Sequence, residues 1–394
     1  MLTVLEQGFI TLVRSCLKNE KLTLPRGFET EKIYEAAKEH HVMNVVYSGA
    51  VLCGIDRNLP VMKKLFLGAL KETVIDETQR QEFDKLKKLF KDNDISYMPL
   101  KGVLLKSIYS QPQMRFMNDI DVLIKLEEYE KICNLLITSG YEFQYESNHE
   151  YVWCKKGILS LELHKMLIPS YNEDFYHYFG NGWNKAIKKD NEYYLSKEDE
   201  FIYLFTHFAK HYRDGGIGVK HLIDLWLFKN SFKMGSEYIE SELEKLRLLE
   251  FYKNVQDVLT VWFEEKPATG KTDLISAYVL ENGAYGTYEN GVASLVLRLK
   301  AGKRQSKKKV RNRLILTKIF PSYSVMKEQH KYLNKAAFLL PVAWVVRWMN
   351  AILNKGKNIP IHIAYIKSIS TKKVSKFESQ LKFVGLDFDF REQK

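Results

Sequence analysis

Two short stretches decide the reading of this chain: Met98-Pro-Leu-Lys-Gly-Val103 and, seventeen residues after its glycine, Asp119-Ile-Asp-Val-Leu-Ile124. The first closes a short apolar run at Lys101-Gly102, the pattern of a strand entering a turn. In the second, Asp119 and Asp121 lie two apart on a strand and so point to one face, about 6.6 to 7 Å apart along it. Facing carboxylates repel unless a cation lies between them, so this spacing suits one or two divalent ions. The same Asp-x-Asp spacing at Asp92/Asp94 and Asp387/Asp389 lacks that strand context. A third acid alternates within Leu159-Ser-Leu-Glu-Leu-His164, where Glu162 faces away from Leu161 and Leu163. If the two strands are neighbours, Glu162 reaches the Asp pair. Three carboxylates on adjacent strands are what two-metal phosphoryl transfer requires.

Outward from this centre the periodicity changes. Residues 2–92 read as several amphipathic helices, with Leu2, Leu5, Phe9, Leu12, Val13 and Cys16 at three- and four-residue steps. Asn93-Asp94 breaks the pattern. A short helix follows Gly102, then a polar stretch over 110–118, the Asp strand, and a helix over about 126–139 ended by Gly140. Segments 141–145, 151–154 and 158–164 are rich in aromatic and branched residues and read as strands of one mixed sheet. Ser196 with Asp199 opens a further helix, and helices continue to the end, joined by a flexible basic connector near 301–309. The expected class is α+β, a mixed α/β unit of roughly 75 residues between helical regions. The expected divisions are 1–93 helical, 94–170 the mixed unit, 171–299 helical, and 300–394 a basic segment with C-terminal helices.

The chain of 394 residues carries a formal charge of +12, and its 45% hydrophobic content is enough for a large core, which excludes a disordered or fibrous protein. Eleven Lys and Arg residues, from Arg298 to Lys327, lie between Glu289 and Glu328 with no acid among them. The excess therefore belongs to one C-terminal segment. That segment offers a surface to nucleic acid or an anionic membrane, or is a solvated face. Its few aromatics weaken a base-stacking model. The apolar run 336–346 is too short to span a bilayer and reads as a core helix or as a surface helix on anionic lipid. Four dispersed cysteines read as reduced thiols. The lack of a long apolar run and of a secretory layout leads to a cytoplasmic expectation.

Leu100-Lys101-Gly102, Arg115, Asp119-Ile-Asp121 and Glu162-Leu-His164 together resemble the motif series of the uncharacterised nucleotidyltransferase family within the polymerase-β-like superfamily. His207-x3-His211, Gly215-Gly-Ile-Gly218, His221-Leu-Ile-Asp224, Phe320-Pro-Ser-Tyr323, Leu339-Leu-Pro341 and Arg347-Trp348 extend the likeness, so that it covers most of the chain from about Lys85 onward. The resemblance implies a small nucleotidyltransferase palm with a helical C-terminal region, Mg²⁺ or Mn²⁺ dependence, and transfer of a nucleoside monophosphate from an NTP to an acceptor hydroxyl. It makes Asp119 and Asp121 the metal pair and Glu162 the third carboxylate, with Gly102 against the triphosphate. The turn has Val103 where the superfamily usually has a second Gly or a Ser, which leaves phosphate binding to Lys101 or Arg115.

Other residues carry two readings each. Arg115 is a bidentate phosphate clamp or a salt bridge restraining its loop. Lys101 is a phosphate contact or a solvated turn residue. His164 is a polar neighbour of the metal-binding carboxylates or a plain structural hydrogen bond. His207 and His211 share a helix face but lack the glutamate of a zinc-protease helix, so they read as satisfied histidines beside the site. Asp224 caps, pairs with a base or touches the acceptor, and the 215–218 glycines form a turn, since a phosphate loop needs a preceding strand. Against the enzyme stand a nucleotidyltransferase fold kept for binding or scaffolding without turnover, and a nucleic-acid-binding protein acting through residues 298–318.

Overall fold

A computed structural model describes residues 2–155, 159–301, 306–353 and 370–388. The chain divides into two compact units, one made of Met1–Tyr212 and Gly216–Tyr285, the other of Arg213–Gly215 and Gly286–Lys394.

The first unit is built on one seven-stranded mixed sheet: β1 (Tyr97–Pro99), β2 (Asp119–Ile124), β3 (Tyr141–Glu146), β4 (Glu150–Lys155), β5 (Leu159–His164), β6 (Ile187–Lys189) and β7 (Glu192–Tyr194). The order is β3-β4-β5-β2-β1-β7-β6. β2 pairs parallel with β5 and antiparallel with β1, while β4 joins β5 and β3 antiparallel. The α+β class expected from the sequence is the class observed.

Strand alternation sends Ile120, Val122 and Ile124 of β2 and Leu161 and Leu163 of β5 into one core. Ile132 and Leu136 of the helix Tyr129–Thr138 fill that core, as do Phe83, Leu86 and Phe90 from the last turns of the 33-residue helix Pro60–Asp92. This long helix starts on Pro60, whose fixed φ and missing N–H suit a first helical position. Its buried polar residues fasten the loop before β2: Asp76 pairs with Lys106, and the Gln79 amide donates to the Met117 carbonyl at 3.0 Å. N-terminal to it, the helix Val4–Lys18 begins on a Thr3–Glu6 capping box and buries Phe9, Leu12, Val13 and Cys16. Ser196 caps the helix Lys197–Asp214, its hydroxyl accepting from the Asp199 N–H at 3.1 Å.

Two elements escape a periodicity reading. The β6–β7 hairpin turns through Asp190, at φ +56°, and adds β7 parallel to β1. Its strands are three residues long and fully or partly exposed, too short to show alternation. The helix Glu173–Phe179 is likewise brief.

The second unit is helical. Tyr288–Lys300, Lys307–Ile319 and Thr371–Phe383 enclose Val296, Leu297, Val310, Leu314, Val374 and Phe377, and Met326, Leu333 and Ala343 form a smaller cluster. Ser306 caps the helix that starts at Lys307, so Lys307–Lys309, expected in a flexible connector, form a first helical turn. The rest of that connector, residues 302–305, lies outside the described residues. The run 336–346 breaks into a 3-10 turn, Ala337–Leu339, and the helix Leu340–Leu353.

Leu161 is fully buried on the face opposite Glu162. Truncation to Leu161→Ala should cost about 2–5 kcal/mol through lost transfer energy and a residual cavity. Chemical denaturation measures this.

Candidate functional site

The polar face of the β2–β5 ladder is the floor of a cavity of about 350 Å³. Parallel pairing sets Asp121 opposite Glu162, Asp119 opposite Ser160 and Leu123 opposite His164. Because the core face of both strands is apolar, the register cannot slip by one residue without burying these carboxylates among leucines. Lys101, Gly102, Arg115, Asp119, Asp121, Glu162 and His164 all line the cavity.

Ligand atoms of Asp121, Glu162 and His164 lie within 4.8 Å of one another, the group among the described residues suited to a metal ion. That group joins two of the expected acids to an imidazole, and the third, Asp119, lines the same cavity. Asp119 sits one strand step away, paired with Ser160 rather than Glu162, and a step of two residues is about 6.6 to 7 Å. His164 Nε2 is 2.7 Å from Asp121 Oδ1 and 3.6 Å from Glu162 Oε2, and its Nδ1 is buried without a partner. Two carboxylates with an imidazole form a donor set for a divalent ion.

Charge in this floor is unevenly shared. Lys101 Nζ donates to Asp121 Oδ1 at 2.9 Å. Burial opposes ionisation of Asp121, yet the Lys101 ammonium and the His164 hydrogen bond hold its carboxyl well below the usual range. Asp119 has no such partner. Burial first, then Asp121 and Glu162, push its carboxyl up to about 7. For His164, burial and Lys101 favour the neutral ring, but hydrogen bonds to Asp121 and Glu162 prevail and raise it above its ordinary value.

The turn that delivers Lys101 is strained. Its φ of +49° and ψ of −116° belong to a region that side chains rarely adopt. The Lys101 carbonyl accepts from both Leu104 and Leu105 N–H at 3.0 Å, starting the helix Gly102–Leu105, and its ammonium is held by Asp121. Lys101 is therefore an ion-paired residue rather than a solvated one. Gly102 is glycine for a packing reason: a Cβ there would lie 2.7 Å from Met117 Sδ.

Arg115 is 5% exposed and acts as a loop restraint: its Nε donates to Asp224 Oδ1 at 2.7 Å and its Nη1 to the Phe116 carbonyl at 2.6 Å. Asp224 also accepts from the Tyr109 hydroxyl at 2.7 Å, so one buried carboxylate ties both ends of the loop before β2 to the helix Val219–Ser231. His207 and His211 stand Nε2 to Nε2 at 3.0 Å, sharing one proton, with the His221 ring 6.3 and 6.5 Å from theirs. Burial drives all three far below the ordinary histidine value, so they form a neutral cavity wall.

Several cavity residues lay outside the sequence reading, Lys220 the most consequential of them. Lys220, in the first turn of Val219–Ser231, makes no hydrogen bond or ion pair among the described residues, while Asp224, Asp119 and Asp121 act on it only at range. Burial and Arg115 lower its ammonium to about 8. Its signal was faint: four residues before Asp224, it shares a helix face with that acid.

A mixed sheet bearing carboxylates on parallel neighbours, backed by helices and opening into a cavity lined by both acids and lysines, is consistent with a nucleotidyltransferase domain. The chain belongs to the uncharacterised nucleotidyltransferase family, whose model matches residues 26–264. This match starts upstream of Lys85 and ends before the late motifs at 320–348. No curated protein and no solved structure matches the chain.

Removing one partner of a buried ion pair strands the other charge. Asp224→Asn should cost about 3–5 kcal/mol in urea unfolding, and Arg115→Met in the same chain should restore part of that loss. The raised Asp119 carboxyl means that the folded chain binds this proton more tightly than the unfolded one. With metal chelated, stability should therefore fall as pH rises from about 4 to about 7, and Asp119→Asn should flatten that slope. Unfolding free energy against pH is the measurement.

Proposed function

We propose that this protein is a metal-dependent nucleotidyltransferase that moves a nucleoside monophosphate from an NTP to an acceptor hydroxyl. The observation that carries the reading is the in-register placement of Asp121 beside Glu162, with the His164 imidazole at the same point, on the floor of a cavity that also holds Asp119 and an unpaired lysine. The donor set fits a divalent cation: anionic oxygens and an imbalance that leaves Asp119 short of positive charge. Asp119, Asp121 and Glu162 are the carboxylates that would hold Mg²⁺ or Mn²⁺, with His164 beside them. Such an ion would screen the triphosphate and acidify the acceptor hydroxyl.

The chain's own groups do the positioning. The Gly102 turn and Lys101 lie where a triphosphate would enter, Arg115 keeps the loop beneath it in place, and Lys220 offers the cation without a protein partner to the phosphates. Glu162, whose side chain is 20% exposed, takes the acceptor proton as the acceptor oxygen bonds to the α-phosphorus and the bond to the leaving pyrophosphate breaks. No covalent enzyme intermediate is needed; orientation and charge supply the acceleration.

The test is label transfer from α-labelled NTPs with Mg²⁺ or Mn²⁺. Asp119→Asn and Asp121→Asn should each reduce transfer by about 10²-fold or more, and chelation should abolish it. Lys220→Met should act mainly on KM for the NTP, raising it about tenfold. Transfer that survives both aspartate changes refutes the assignment. NTP binding without any transfer favours the scaffold reading.

A further inference from the structure

The second unit presents an apolar strip that no part of the carboxylate site uses. Phe338, in the turn Ala337–Leu339, and Val342, Val345 and Met349, in the helix Leu340–Leu353, are 82, 51, 58 and 54% exposed. Steps of four, three and four residues put them on one face. The opposite face is anchored, with Ala343 buried and the indole N–H groups of Trp344 and Trp348 donating to the Pro321 carbonyl at 2.9 Å and the Ile319 carbonyl at 3.0 Å. The strip therefore points outward on a fixed support.

Cations adjoin it. On the helix Lys307–Ile319, exposed Lys309, Arg313 and Leu316 follow the same spacing into Phe320, whose ring meets Trp344 at 5.1 Å. From residue 290 to residue 377, Glu328 is the sole acid in the sequence against twenty Lys and Arg, more than the whole +12 excess.

We infer that this face seats on an anionic lipid bilayer, with the strip at the headgroup–acyl boundary and the cations on lipid phosphates. A second copy of the chain would bring two cationic faces together. A nucleic acid would pair with the lysines but leave most of the apolar strip in water, with few rings for bases to stack on. A bilayer interface accommodates both features. The helix has 14 residues, and no helix among the described residues is long and apolar enough to cross a membrane, so the association is interfacial.

Co-sedimentation of the full chain with vesicles tests this directly, comparing phosphatidylcholine alone with phosphatidylcholine containing about one-third phosphatidylglycerol. The protein should pellet with the anionic vesicles and remain in solution with the neutral ones. Both Phe338→Glu/Val345→Glu and Lys309→Gln/Arg313→Gln should weaken retention about tenfold or more. Ile137→Glu, at a 60% exposed site in the first unit, should leave it intact, and circular dichroism confirms the fold of each variant. Four results overturn the inference: equal retention on both vesicle types, retention indifferent to the Phe338/Val345 pair, capture by RNA without capture by vesicles, and a lipid-free dimer that dissociates in the Phe338/Val345 variant.

Discussion

The parallel pairing of β2 with β5 is the constraint on which the site rests. Two six-residue strands with apolar side chains in alternation, Ile120, Val122 and Ile124 on one and Leu161 and Leu163 on the other, can bury those side chains only by sending the intervening residues to the other face. Register then follows from packing, because slipping one strand by a residue would turn its carboxylate, Asp121 or Glu162, into the hydrocarbon core and its apolar residues out of it. The energy that fixes the acids comes from the hydrocarbon behind them.

That arrangement concentrates negative charge in a poorly hydrated floor, and the surrounding structure answers it group by group. Lys101, held in an unfavourable backbone conformation, and the His164 ring both bear on Asp121. The buried Arg115–Asp224 pair keeps the loop before β2 from relaxing away. Among the described residues Asp119 and Lys220 are left without ion-pair partners, an acid shifted up and a base shifted down, facing the same cavity. Oppositely perturbed groups around one cavity are a charge imbalance that a bound ion or substrate would offset. Among the described basic residues of the C-terminal segment, Lys307 and Lys300 are paired with Glu378, and Arg298 with Asp214, while Lys308, Lys309 and Arg313 remain exposed.

Much of the fold was legible because its signals are local. The alternation in Asp119–Ile124, the helical steps before Asp92, the Ser196 cap and Gly140, at φ +80°, each report a preference that a few residues fix among themselves. The β6–β7 hairpin was not, since strands of three residues on a sheet edge carry no period. Lys307–Lys309 looked like a linker from charge alone, whereas the Ser306 hydroxyl and a core-facing Val310 make it a helix start.

The sequence by itself determined the class of the protein: an α+β palm of nucleotidyltransferase type, with Asp119, Asp121 and Glu162 on one face of their strands and a charge excess confined to the C-terminal region. Only the tertiary structure decided that His164 stands with Asp121 and Glu162, that Arg115 pairs with Asp224, and that Lys220 enters the cavity with no ion-pair partner among the described residues. The physical reason is separation. Period and side-chain chemistry act over neighbouring residues, whereas these pairings span 43, 109 and more positions and exist only once strand order and helix docking bring their atoms together.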